Sequence, residues 1–263
     1  MKIDLSIDPQ KTAHRTIEFI RITTHQTGFS RLVVGLSGGV DSAACCALTV
    51  NAIGARNLFV ALLPYSGLNQ SGLKDAKSII EKLGIPGQNV YLADIKSIVD
   101  QIIRQDPSID KLRAGNIMAR LRMIFLYDLS KKLNALVLGT ENKTEYLLGY
   151  FTRFGDEAGD LQPIRGLYKT QVRQLAASLG IPEKIIQKAP TAGMWLGQTD
   201  EKEMGFTYRD ADKILYLYVD LHKSIEEIIK VGFKEEIVES VITRLQKNDF
   251  KHKVPYICVA PLS

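Results

Sequence analysis

The chain has 263 residues, enough for a substantial core, with 45% hydrophobic and 24% charged residues and a mean hydropathy of -0.03. Lys and Arg number 34 against 29 Asp and Glu, and this +5 excess is scattered along the chain, so charge alone selects no nucleic-acid partner. No apolar run reaches the roughly 18 residues of a membrane span, and Met1-Lys2-Ile3-Asp4 lacks the apolar stretch of a secretory signal.

A cytoplasmic protein with neither a membrane nor a nucleic-acid partner is therefore expected. The three cysteines agree: Cys45 and Cys46 are adjacent on a predicted helix, Cys258 sits in an apolar tail, and no Cys-x-x-Cys or Cys/His ligand spacing occurs. All three are expected to serve as small core hydrophobes.

In chain order, apolar runs at 31–36 (RLVVGL), 57–62 (NLFVAL), 89–93 (NVYLA) and 135–138 (ALVL) predict strands, their near-continuous hydrophobicity suiting a parallel sheet covered on both faces. Between them, helical patterns cover 41–53, 72–83 and 112–133. Gly54 and Gly84 are expected as left-handed caps. Beyond 138, glycines and charges crowd 149–166, short helices are predicted at 169–179 and 182–187, and a polar loop spans 190–205. Helices resume at 208–219, 225–231 and 235–247. This alternation predicts an α/β fold, a doubly wound open parallel sheet flanked by helices, with a helical C-terminal part in one domain covering 1–263.

Ligands of such sheets bind beyond the carboxyl ends of the strands, where two polar segments fall. The first is Leu36-Ser37-Gly38-Gly39-Val40-Asp41-Ser42, between a strand and a helix. Its glycine pair lets the backbone turn tightly, and the helix start offers free N–H groups and the positive end of the dipole to an anion. Ser37 and Ser42 add hydroxyls, and Asp41 could hold a metal that neutralises phosphates. No Gly-Lys-Ser/Thr follows, so this is not a Walker loop, and Gly-x-Gly-x-x-Gly is absent. The second is Gly139-Thr140-Glu141-Asn142-Lys143-Thr144-Glu145.

Ser-Gly-Gly-Val-Asp-Ser resembles the pyrophosphate loop of the ATP pyrophosphatase superfamily, of adenine nucleotide alpha hydrolase-like fold, whose members cleave ATP between the α and β phosphates. The rest of the chain narrows the resemblance to NAD synthetases. The carriers are Asn116 to Met123, Gly139 to Glu145, Gly149 to Asp156, Asp160 to Ile164, Tyr168-Lys169-Thr170, Pro190 to Trp195, Gly197 to Glu201 and His252-Lys253, in this order.

That resemblance implies ATP-dependent amidation of deamido-NAD by ammonia. Gly35 to Ser42, Thr140, Lys169 and Thr191 would hold ATP, and Asp41 and Glu145 would bind Mg²⁺. Arg120, Arg153, Asp160, His252 and Lys253 would contact deamido-NAD. Asp41, Lys169 and Asp160 would carry the catalytic work, Asp160 by orienting ammonia or substrate. Arg122, two residues past Arg120, reads as a solvated surface charge. Glu145 has a duller reading as part of a helix cap, and Trp195 reads equally as a core anchor or a plug over the site.

The sequence departs from the family at Glu157-Ala158, where a glycine pair is common, and at Arg153, where Lys is common. About 30 residues without a cysteine precede the first predicted strand, leaving no room for an amidase domain, so free ammonia is expected as the nitrogen source. The resemblance also implies a homodimer, for which Ile117, Leu121, Ile124 and Phe125 on the long helix are candidate interface positions, with core burial the alternative. A tRNA-modifying relative and a nucleotide-binding regulator are the rival readings.

Overall fold

The computed structural model describes residues 3–258. Its four strands, β1 (Leu32–Gly35), β2 (Leu58–Leu62), β3 (Val90–Leu92) and β4 (Leu136–Leu138), are all parallel and lie in the order β3-β2-β1-β4. Each predicted strand forms, shortened at its ends. Val34 pairs with Val60 on one side and Leu138 on the other. Leu32 and Val34 face one hydrophobic cluster, while Val33 faces another with Ala61, Leu129 and Val137. Burial on both faces explains why these strands read as unbroken apolar runs.

The helices are α1 (Pro9–Thr27), α2 (Val40–Ile53), α3 (Gln70–Lys82), α4 (Lys96–Gln105), α5 (Lys111–Leu133), α6 (Lys143–Leu148), α7 (Lys169–Ser178), α8 (Glu183–Ile186), α9 (Asp200–Met204), α10 (Tyr208–Leu215), α11 (Ile225–Lys230) and α12 (Glu235–Asn248). Mutually packed α1, α2 and α7 cover one face of the sheet, and α5 covers the other. A separate cluster, centred on Tyr208, Ile214, Val238 and Val241, joins α6, α10, α11 and α12 into the helical C-terminal part.

Several expectations are corrected. The strongest omission is α1, whose buried stripe is Thr16, Ile20 and Thr24, too polar to give an apolar period. It is bounded instead by capping: Asp8 accepts the Lys11 N–H, and Gly28 closes the end at φ 75°. The predicted polar loop contains α9, and the predicted 208–219 helix ends as α at Leu215, continuing as a π turn over Tyr216–Asp220. Gly54 has positive φ but ψ 151°, an extended mirror conformation rather than a left-handed cap. Cys45 and Cys46 are buried as expected, whereas Cys258 is exposed, beyond the last helix and beside exposed Tyr256 and Ile257.

Of the interface candidates on α5, Leu121 is buried, and Ile117 and Phe125 pack on the cluster it forms with Ile95, Val99 and Met118. Only Ile124, at 57%, stands well exposed. Among the described residues, no helix is long and apolar enough to cross a membrane.

The chain leaves β1 toward β2 and later returns to β1's opposite side as β4. This reversal opens a crevice at the carboxyl ends of β1 and β4. Both polar segments noted in the sequence follow these two strands.

Candidate active site

From β1 the chain turns through Leu36, Ser37 and Gly38 into α2. Gly38 adopts φ 80°, and a Cβ there would lie 2.1 Å from the Gly72 carbonyl oxygen in the first turn of α3, so only glycine fits. Gly39 is the N-cap of α2 and no side chain caps that helix, leaving its first N–H groups for a ligand. Ser37 Oγ lies 3.1 Å from Ser42 Oγ and accepts the Gly39 N–H at 3.2 Å, so the hydroxyls shape the loop from within.

Three charged side chains meet at this helix start. Lys169, the first residue of α7, places Nζ 2.5 Å from Asp41 Oδ2 and 3.0 Å from Glu145 Oε1. Asn142 caps α6 and also donates from Nδ2 to Asp41 Oδ1 at 3.0 Å. Glu145 belongs to that capping box, so its dull reading is correct as far as it goes, yet the same carboxylate turns its other oxygen to Lys169. Burial, helped by Asp41, raises the Glu145 carboxyl to about 7 against the pull of Lys169. Burial also penalises the Lys169 ammonium, but Asp41 and Glu145 outweigh it and hold its pKa above that of a free lysine.

Two cavities adjoin here. The larger, about 260 Å³, has an apolar wall of Leu36, Leu62, Leu63, Met123 and Leu126, with Gly35 and Thr140 at its polar side. The smaller, about 170 Å³, is lined by the loop from Ser37 to Ser42 together with Glu145, Lys169 and Lys188. Ser37, Thr140, Asp156 and Thr191 line both, so an apolar slot opens directly onto an anion cradle. A purine nucleoside and its phosphates have this division of polarity. Every residue expected to hold ATP lines one cavity or the other.

Asp41 and Glu145 also suit Mg²⁺. They offer two hard oxygen donors, and no group of three or more His, Cys, Asp or Glu that could hold a metal occurs among the described residues. Mg²⁺ commonly takes one or two carboxylates and completes its shell with phosphate oxygens and water.

The residues expected at the second substrate lie outside both cavities. Arg120 is exposed and donates from Nε to the Arg153 carbonyl at 3.2 Å. The Arg153 guanidinium stands 5.1 Å from the Phe250 ring centroid. His252 packs between Tyr146 and Phe151, at 4.3 and 5.6 Å between centroids, and this burial lowers its pKa. Lys253 pairs with Asp249 on the surface. Arg120, Arg153 and His252 gather around the segment 146–154, whereas Asp160 stands apart, its carboxylate accepting the Val137 N–H at 2.7 Å along the edge of β4.

Several cavity-lining residues escaped the sequence reading, Lys188 among them. Arg122 is a correction: it is not a solvated charge but lines the larger cavity, donating to the Leu63 carbonyl at 3.1 Å and contacting Met194 Sδ at 3.4 Å. Asp156 lines both cavities, and Asp200 and Tyr150 line the smaller one, where buried Asp200 accepts from Tyr150 and Tyr208. Their signal was their place inside the Gly149–Asp156 and Gly197–Glu201 stretches. Met194 lines the larger cavity, while Trp195 packs near Gly115.

A parallel sheet with an uncapped helix start at its switch point, two carboxylates and a buried lysine defines a nucleotide-binding α/β protein built to handle phosphates. The chain belongs to the NAD synthase family, whose model matches residues 12–255. It is 40% identical to the NH(3)-dependent NAD(+) synthetase of Fusobacterium nucleatum over 256 residues, covering 97% of each chain. Among solved structures it is similar to the NMN synthetase of Francisella tularensis, with TM-score 0.83, 31% identity and coverage of 97% of this chain and 99% of that one. The NH3-dependent NAD synthetase of Campylobacter jejuni follows with TM-score 0.81, 32% identity and coverage of 96% and 100%.

Proposed function

We propose that this chain catalyses the ATP-dependent amidation of deamido-NAD by ammonia, giving NAD, AMP and pyrophosphate, the last step of NAD biosynthesis. The observation that carries this reading is the meeting of Asp41, Glu145 and Lys169 at the uncapped start of α2, beside a slot of nucleoside size. Near-complete overlap with ammonia-named relatives supports ammonia as the nitrogen donor.

A nicotinate carboxylate is a poor electrophile, and transfer of AMP to it creates a leaving group that ammonia can displace. The apolar slot would seat the adenosine, with Thr140 and Thr191 where slot and cradle meet. The α2 N–H groups and Lys169 would hold the phosphates in line for attack at the α-phosphorus, a task of positioning and charge stabilisation. Mg²⁺ held by Asp41 and Glu145 would draw charge from the departing pyrophosphate. Arg120, Arg153, His252 and Lys253 supply a basic and aromatic surface for an anionic dinucleotide, and Asp160 would orient ammonia or substrate at its edge. The reading includes a cytoplasmic homodimer in which residues 1–263 act as one unit.

The test is an assay with ATP, Mg²⁺, ammonium and deamido-NAD, quantifying NAD, AMP and pyrophosphate. Equal yields of the three, dependent on deamido-NAD, support the proposal. Nicotinic acid mononucleotide belongs in a parallel reaction, because one structural neighbour is named an NMN synthetase. A clear preference for the mononucleotide would keep the chemistry and overturn the named substrate.

A further inference from the structure

Two lysines line the smaller cavity, and they stand in different electrostatic positions. Lys169 is committed: its ammonium is matched by Asp41 and Glu145, the pair that suits the metal. Lys188 reaches the cavity from the segment after α8, and its ion-pair partner lies outside the cavity lining. That partner is Asp75 on α3, whose Oδ2 is 2.9 Å from Lys188 Nζ and whose Oδ1 is 3.1 Å from Lys184 Nζ. Asp75 is almost buried, with 12% of its side chain exposed.

The placement ties Lys188 to the phosphate loop. Gly38 abuts the Gly72 carbonyl at the start of α3, and Asp75 is about one turn further along the same helix, so the loop and the lysine's anchor share one helix. Lys188 also precedes Thr191, which lines both cavities. Asp41, Glu145, Asp156 and Asp200, four acidic residues, line this space with the two lysines. A triphosphate adds further negative charge, and its oxygens that do not face the metal need a cation whose carboxylate partner stands outside the cavity lining.

On the reading of this cavity as an ATP site, we propose that Lys188 is a second cationic grip on the pyrophosphate half of ATP, held ready by Asp75. Its flexible stem lets the ammonium turn from Asp75 to a phosphate oxygen without moving the backbone. Asp75 acts as a positioning residue, keeping the lysine at the cavity wall until the anion arrives.

Calorimetric titration with metal-free pyrophosphate and with ATP tests this directly, alongside steady-state kinetics. Lys188→Met is expected to weaken both ligands by about tenfold, the worth of one charge-assisted hydrogen bond, while the KM for deamido-NAD stays unchanged. Lys188→Arg should recover most of the loss. Lys184→Met removes Asp75's other partner without touching the cavity and should leave both affinities within about twofold, as for an exposed pair. Wild-type affinity for pyrophosphate and ATP in Lys188→Met overturns the inference, as does an equal loss in Lys184→Met, which would make the pairs with Asp75 merely structural. Failure of the ATP-site reading has a different signature: the wild-type protein and Lys169→Met would bind ATP equally poorly.

Discussion

The two halves of the proposed site are built to different standards. At the start of α2, the three charged groups that meet are locked before any ligand arrives: Lys169 is buried between Asp41 and Glu145, Asn142 holds Asp41, and Gly38 is pressed against α3. Around Arg120, Arg153, His252 and Lys253, the charges lie near the surface and satisfy themselves with a backbone carbonyl, an aromatic ring and a neighbouring aspartate. Electrostatic catalysis needs groups that do not reorganise during the reaction, and only the first region meets that demand in the single chain. Recognition of a large anionic substrate tolerates looser groups that trade weak partners for the ligand.

If this contrast is correct, damage to the first region should be severe and should reach stability as well as turnover. Asp41→Ala removes a proposed metal donor and a partner of Lys169, and kcat is expected to fall by about three orders of magnitude, roughly 4 kcal/mol. Circular dichroism would show the fold retained, and full activity would remove Asp41 from the site. Lys169→Met leaves Asp41 and Glu145 facing each other without a cation. Breaking a buried pair from one side costs about 3–5 kcal/mol, visible as a lowered midpoint in chemical denaturation. Added Mg²⁺ should return part of that stability by taking the lysine's place between the carboxylates.

A subtler effect comes from Glu141, directly after Thr140. It is buried, with Arg165 Nη2 at 2.7 Å from Oε2, although neither carboxylate oxygen meets a well-aligned donor. Burial raises its carboxyl to about 8, against the pull of Arg165. A folded pKa above the unfolded one means the folded state holds the proton more tightly. The resulting stability is complete below the unfolded value near 4.5 and is lost as pH rises through 8. Glu141→Gln cannot lose a proton, so its stability relative to wild type should improve by about 4 kcal/mol between pH 5 and pH 9. Parallel stability–pH curves would show that Arg165 keeps Glu141 ionised throughout.

How far the sequence spoke for each region follows from what each depends on. The strands and the phosphate loop were legible because burial on both faces demands unbroken apolar runs and a close-packed turn demands glycine. Helix α1 was hidden because two of its three buried residues are threonines, so its signal lay in Asp8, Pro9 and Gly28 rather than in periodicity. Arg120 and Arg122 show where local reasoning stops. They sit two positions apart on α5, roughly opposite one another around the helix, and which side faces the crevice is decided by the packing of α5 on β1 and β4. Asp160 makes the same point for a loop, since its carboxylate is taken by the Val137 N–H of a strand distant in sequence.

The second region gives the smaller and more discriminating test. Arg153→Ala removes the guanidinium above Phe250 but leaves the backbone carbonyl that Arg120 uses, so the local fold should survive. The KM for deamido-NAD is expected to rise about tenfold, the worth of one charged contact, with kcat and the KM for ATP unchanged. Loss confined to KM is the mark of a group that binds ground state and transition state alike. Lys253→Ala, which breaks only the exposed pair with Asp249, should raise the same KM by no more than about threefold. An unchanged KM in Arg153→Ala would make that arginine an anchor for Phe250, and the anionic dinucleotide would then have to be recognised elsewhere. A fall in kcat would instead tie this surface to the phosphate corner and erase the difference in build between them.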